Sequence, residues 1–273
     1  MVRLRNGALV VVIPLLTQCA QERITIYETG SDHAQRITDQ WVAEDDTIML
    51  RYSFWAEQGT VSFVIYNKSS RQIFIDWKNS ALVVNDRKVD YWNDAVRVST
   101  SSSTSSRRST TTRGKNTSSF DWSWITSSAS TEIGIGVTEG LMVRDERITS
   151  LPPKSYIGVE RFRILSERLD PSSYQSEVLS VPNPADPIRI DKVDHASFAM
   201  DISPLRLRNY LSISFHEDMS DSFSVDDSFW LSEISDMSYT HYRGKYLGKD
   251  ENGYAEYEKP YKKRTRFYWK YWK

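Results

Sequence analysis

Four histidines, His33, His195, His216 and His241, hold most of the chain's capacity for acid–base and metal chemistry, and their spacing limits it. No two of them flank a glutamate at the helical spacing of a zinc hydrolase, so no dedicated metal ligand set is visible. Two have carboxylates beside them in sequence, as Asp194-His195 and His216-Glu217-Asp218. A carboxylate bonded to one ring nitrogen fixes the tautomer and leaves the other nitrogen basic, as a general base or ligand requires. Both runs adjoin turn-forming residues, and surface placement is expected for each. The acids Glu217, Asp218, Asp221, Asp226 and Asp227 offer oxygen ligands of the type calcium takes, without the ordered spacing of a calcium loop. Glycine-rich phosphate loops, dinucleotide fingerprints and serine elbows are missing from the sequence. The expectation is a protein that is not an enzyme, with no catalytic residue, metal or cofactor.

Aromatic side chains offer a different chemistry. Trp77, Trp92, Trp122 and Trp124 are candidate platforms for a glycan, against the competing expectation that each is core or latch. The C-terminal run YKKRTRFYWKYWK, residues 261–273, interleaves rings with cations and follows the last acid, Glu258. Phe267, Trp269 and Trp272 could meet a headgroup interface, where rings sit at the polar boundary and cations face phosphate. The alternative is a terminal strand over residues 267–272 pairing with a sheet edge. A formal net charge of −1 gives no overall field for nucleic acid, which is not expected as a partner.

The amino terminus carries the most specific motif. A short basic start with Arg3 and Arg5 precedes the apolar run ALVVVIPLL, residues 8–16, too short to span a bilayer, and then Leu16-Thr17-Gln18-Cys19. This resembles the bacterial lipobox, with Gln18 in place of the usual small residue. The resemblance implies a signal peptide over residues 1–18, cleavage before Cys19, and lipidation of the chain's single cysteine. Ala20 lacks the aspartate of inner-membrane retention, so the implied address is the outer membrane, lipid-anchored and facing periplasm or surface.

The elements that position these groups read as strands. Residues 47–55, 60–66, 72–77 and 80–84 are short β-branched or aromatic runs separated by turn residues, which predicts an antiparallel sandwich. Residues 60–69 followed by 73–76 resemble the paired strands of immunoglobulin-like accessory domains of bacterial lipoproteins, in which an asparagine-bearing turn leads to an edge strand. The expected fold class is therefore all-β, an immunoglobulin-like antiparallel sandwich over residues 46–240. A Ser/Thr-rich low-complexity insertion at 98–131, too polar to form a core, is expected as a mobile loop. Residues 132–143, 151–164, 205–215 and 229–234 are read as further strands, and 171–187 as loop. Residues 19–45 are expected as the lipidated cysteine and tether, and 241–273 as an aromatic, basic tail.

The organisation resembles Bacteroidota-type outer-membrane lipoproteins. It implies a membrane-anchored, non-enzymatic accessory subunit with an envelope protein partner. A glycan- or peptidoglycan-binding module is the alternative, and a hydrolase using His195 or His216 is a third.

Overall fold

The computed structural model describes residues 21–92, 97–98, 142–143 and 146–273, with the two dipeptides as backbone only. Cys19, Trp122 and Trp124 lie outside the described residues, as do the segments expected to be signal peptide and most of the Ser/Thr-rich insertion. Nine strands form the larger sheet: β1 (Glu22–Ser31), β6 (Ile73–Val84), β7 (Arg87–Asp90), β10 (Ile148–Leu151), β12 (Ser176–Asn183), β13 (Asp186–Ser197), β14 (Arg206–Ser214), β15 (Phe223–Ser238) and β18 (Arg266–Trp272). Its path runs β10-β6-β14-β15-β1-β18, with β7 beside β6 and the β12–β13 hairpin joined to β15. The smaller sheet, in order, is β11 (Tyr156–Arg163), β5 (Thr60–Asn67), β4 (Ile48–Ser53), β3 (Gln40–Glu44) and β2 (Gln35–Ile37). Two short pairs, β8 (Arg97–Val98) with β9 (Met142–Val143) and β16 (Tyr246–Lys249) with β17 (Ala255–Tyr257), stand apart.

Alternation assembles the sandwich. Leu207, Leu211 and Ile213 of β14, with buried Asn209 completing the alternation, and Val61, Phe63 and Ile65 of β5 face one core between the sheets. Tyr52, Phe54 and Phe229 interlock at its centre, with Phe229 meeting the other two edge-on at ring separations of 4.7 and 5.2 Å. The all-β antiparallel architecture agrees with the pattern of short apolar runs.

Several boundaries differ from that pattern. Residues 22–45 are three strands and no tether: β1 lies between β15 and β18, with Ile24 and Tyr27 wholly buried. Its sequence ERITIYETGS hides this because its alternate polar groups are satisfied internally. Thr25 donates to Asp236 at 2.9 Å and Thr29 to the Thr265 carbonyl at 2.6 Å. The C-terminal tail is likewise part of the domain, since β18 completes the large sheet.

Residues 176–187, expected as loop, form most of an edge hairpin. Pro182 is tolerated because β12 pairs only with β13, and Asn183 caps the turn by accepting from the Ala185 amide at 2.8 Å. The strand pairing implied by the immunoglobulin-like resemblance at residues 60–76 does not occur. β5 and β6 belong to different sheets, and the turn at Asn67 carries the chain between them. Asn67 is wholly buried there, donating to the carbonyls of Arg71, Leu151 and Pro152. β6 is no edge either, being flanked by β14 and by β10 and β7. It runs unbroken from 73 to 84, where two runs were expected, and Asp76 orders its irregular middle by accepting from Lys78 and Asn79.

One buried polar chain crosses the core. Tyr52 donates to Asp227 at 2.6 Å, Asn209 donates to the Tyr52 oxygen at 2.8 Å, and Tyr91 donates to Asn209 at 2.7 Å. Burial raises the Asp227 carboxyl above its ordinary 3.8, against the opposing hydrogen bond from Tyr52. A raised carboxyl favours folding below its unfolded value, and that contribution is lost as pH rises through the folded value. Asp227→Asn should therefore gain on the wild type as pH climbs from about 4 to about 8, its Tm rising relative to that of the wild type over this range. Thermal unfolding of both proteins across that range checks this, and a pH-independent difference would refute it.

Candidate functional site

The chain after β15 folds back over the outer face of the large sheet. Ser238 accepts from the His241 amide at 3.2 Å and so caps a single helical turn, Tyr239–Tyr242. Beneath it a second small core forms from Ile24, Ile26, Val193, Met237 and Tyr242, with Trp55, Tyr261 and Tyr268 packed on it.

His241 is wholly buried in this layer. Its Nδ1 lies 2.9 Å from Asp191 Oδ2, and its Nε2 lies 2.6 Å from the Tyr261 hydroxyl. A neutral ring satisfies both contacts, with Nδ1–H donating to the carboxylate and Nε2 accepting from the phenol. Burial raises the Tyr261 hydroxyl pKa, which keeps the phenol a donor. Burial also acts to raise the Asp191 carboxyl, but hydrogen bonds from Asn183, His241 and Arg189 outweigh it and hold the group at about 2. The order carboxylate, imidazole, hydroxyl matches a nucleophile relay in connectivity alone. Both ring nitrogens are already engaged and the ring has no exposure, so the triad fastens the C-terminal segment to the β12–β13 hairpin. Nothing in the local sequence marks it, because its members lie 50 and 20 positions from His241.

The histidines singled out by adjacent carboxylates are arranged differently. Asp194 and His195 are neighbours on a strand and point to opposite faces. Asp194 lies 3.5 Å from Arg23, whereas His195 Nδ1 lies 3.1 Å from the Ser235 hydroxyl. His195 and Ser235 line a cavity of about 220 Å³ with Tyr261, Glu233 and Arg266. Glu177 stands opposite His195 in the strand register but makes no ion pair with it among the described residues, so the His–Ser pair lacks an orienting carboxylate. His216 sits in a turn, its carbonyl accepting from the Met219 amide, and Asp218 turns to the Ser220 amide and hydroxyl. Among the described residues no group of three or more His, Cys, Asp or Glu is placed to hold a metal ion.

The aromatic candidates separate as well. Phe267 is a core residue and no contact point, being wholly buried and stacked on Tyr27 at 4.8 Å. Trp269 packs against the main core, and Trp272 is 68% exposed. Trp77 donates to Thr149 at 2.8 Å and meets Tyr91 edge-on, which makes it structural. Lys78 lies over Trp92 at 5.7 Å.

Sequence inspection missed a groove of about 340 Å³ where the C-terminal segment crosses the smaller sheet. Ser53, Ser62 and Glu160, aligned across β4, β5 and β11, give it a polar floor together with Thr60. Trp55 lines it and rests on Tyr268, with ring centroids 4.9 Å apart. Lys262, Lys263 and Arg264 line it too, in a stretch held by backbone bonds from Phe54 N to Arg264 O and from Thr265 N to Asp39 O. Arg264 reaches Gln40 at 3.4 Å and Asp39 at 3.9 Å. Lys262 and Lys263 make no ion pair among the described residues. Cations crowd nearby: burial lowers the Arg51 guanidinium pKa, Glu44 opposes that, and the Arg264 charge lowers it further.

No protein-family model, curated protein or solved structure matches the chain.

Replacing His241 with Ala should cost about 2–4 kcal/mol, because it empties a wholly buried site and removes the hydrogen bonds to Asp191 and Tyr261 together. The depressed Asp191 carboxyl stabilises the fold above its unfolded value of 3.8, and that contribution is lost as pH falls towards 2. Denaturant unfolding should therefore show a smaller acid-induced loss of stability for His241→Ala than for the wild type between about pH 4 and pH 2. Equal acid losses in the two proteins would contradict the geometry.

Proposed function

We propose that the chain is a non-enzymatic lipoprotein, anchored in the outer membrane through acyl chains on Cys19 and serving as an accessory subunit of an envelope assembly. The observation that carries this reading is the pairing of Gln21, just after Cys19 in sequence, with Lys273. Gln21 N donates to Lys273 O at 2.9 Å and Lys273 N donates to Gln21 O at 3.1 Å, while Trp272 stands opposite Glu22 in the β1–β18 register. Residue 21 follows Cys19 by two positions, and two extended residues reach only about 7 Å. Acyl chains on Cys19 would therefore bring the exposed Trp272 ring, with Lys270 and Lys273, to the headgroup layer. There an indole ring is favoured at the polar boundary and ammonium groups meet lipid phosphate.

Each methylene buried in the bilayer contributes about 0.8 kcal/mol, so two or more chains hold the protein durably. Among the described residues no helix is long and apolar enough to cross a membrane. In this proposal the sandwich acts as an accessory module, offering the edge strands β2 and β11 to a protein partner.

Intact-mass analysis of the protein extracted from its native membrane should find the chain starting at Cys19 with acyl chains attached. Photoactivatable lipid should label the peptide containing Trp272. Recovery of the native protein from the soluble fraction with Met1 and a free thiol would overturn the anchor. Cys19 lipidation without labelling near Trp272 would overturn the placement of the sheet end against the lipid.

A further inference from the structure

We infer that the groove between Trp55 and the Lys262-Lys263 stretch is a binding site for an anionic saccharide, a sugar carrying carboxylate or phosphate groups. The volume of about 340 Å³ lies within the range of small-molecule sites, roughly 300–1,000 Å³. Its lining divides by chemistry in a way that fits one ligand class. The hydroxyls of Ser53, Thr60 and Ser62 make no side-chain hydrogen bond among the described residues, and each both donates and accepts, as sugar hydroxyls require. Glu160 adds an acceptor on the same floor. Trp55, braced by Tyr268, supplies an apolar face for the C–H side of a pyranose ring.

Charge sets the sign of the ligand. The groove is lined by three cations and two acids, Asp39 and Glu160; Arg264 is engaged with Gln40 and Asp39, while Lys262 and Lys263 form no ion pair among the described residues and leave the lining with an excess of positive charge. An anion between them gains both charges without breaking an ion pair, whereas a neutral sugar leaves them unused. The backbone that carries the cations is held before any ligand arrives. Besides the bonds to Phe54 and Asp39, Lys262 N donates to the Lys259 carbonyl at 2.9 Å, and Arg266 N to the Lys263 carbonyl at 3.0 Å. A backbone held in place spends little ordering entropy on binding. A nucleic acid strand fits less well, since the groove holds a single ring platform and the chain carries net charge −1.

The site goes beyond the anchoring proposal and uses neither Cys19 nor the Gln21–Lys273 pairing. Loss of either conclusion therefore leaves the other standing. Calorimetric titration of the full chain tests it, with trigalacturonate against galactotriose, mannose 6-phosphate against mannose, and oligothymidylate as the competing polymer. At least one charged sugar should bind about tenfold or more tightly than its neutral counterpart. The double substitution Lys262→Gln and Lys263→Gln should weaken that binding about tenfold without shifting thermal unfolding. Trp55→Phe keeps a ring on Tyr268 and should weaken the charged sugar while leaving the preference for charge intact. Equal binding of charged and neutral sugars, binding of neither, an unchanged affinity in the double variant, or tighter binding of oligothymidylate would each overturn the proposal.

Discussion

Strand β1 is buried on both faces and bonded along both edges, and most of the architecture follows from that condition. A buried strand cannot leave its backbone groups to water, so each edge must find a partner strand. β15 takes one edge along residues 23–31 and β18 takes the other along 22–28, which brings the last strand back to the first. Its two faces need separate cover. The smaller sheet closes over Tyr27, while the segment after β15 closes over Ile24 and Ile26. The C-terminal residues are thus obligatory parts of the sandwich.

Buried charges around β1 are paired closely enough to specify its register. Asp236 accepts from Arg23 at 2.6 Å, from Thr25 at 2.9 Å and from Tyr271 at 2.9 Å, so three strands meet at one carboxylate. The guanidinium of Arg168 stacks over Tyr271 at 4.1 Å and adds a cation to the same cluster. Glu28 plays the corresponding part at the other end of β1, bonded to Thr265 and Arg266. Such pairs contribute little net stability, because desolvation offsets much of the attraction. A one-residue slip would strand every one of them, and that penalty is what fixes the alignment.

Polar chemistry in the protein accordingly falls into two kinds. Asp236, Glu28 and the Asp191–His241–Tyr261 triad are internally satisfied and hold strands or segments together. The groove at Trp55 differs, since the side chains of its serines, its threonine and its two lysines make no hydrogen bond or ion pair among the described residues. Groups placed on a fixed backbone and left unsatisfied are available to something outside the chain. That contrast, more than any single residue type, separates structural polar groups from candidate binding groups here.

What the sequence determined was local. Alternating runs such as those of β4, β5 and β14 announce an all-β sandwich because strand periodicity is written in consecutive residues. The lipobox-like motif at Cys19 is likewise contiguous, and so legible. The tertiary structure decided which polar residues were buried, and there the local pattern misled. β1 looked like tether because its threonines and Glu28 are satisfied by residues more than 200 positions away. Phe267 looked like a contact residue because only packing on Tyr27 shows it to be core. The groove draws Ser53 and Trp55, Glu160, and Lys263 from three distant stretches, and no spacing rule can join groups that only the fold brings together.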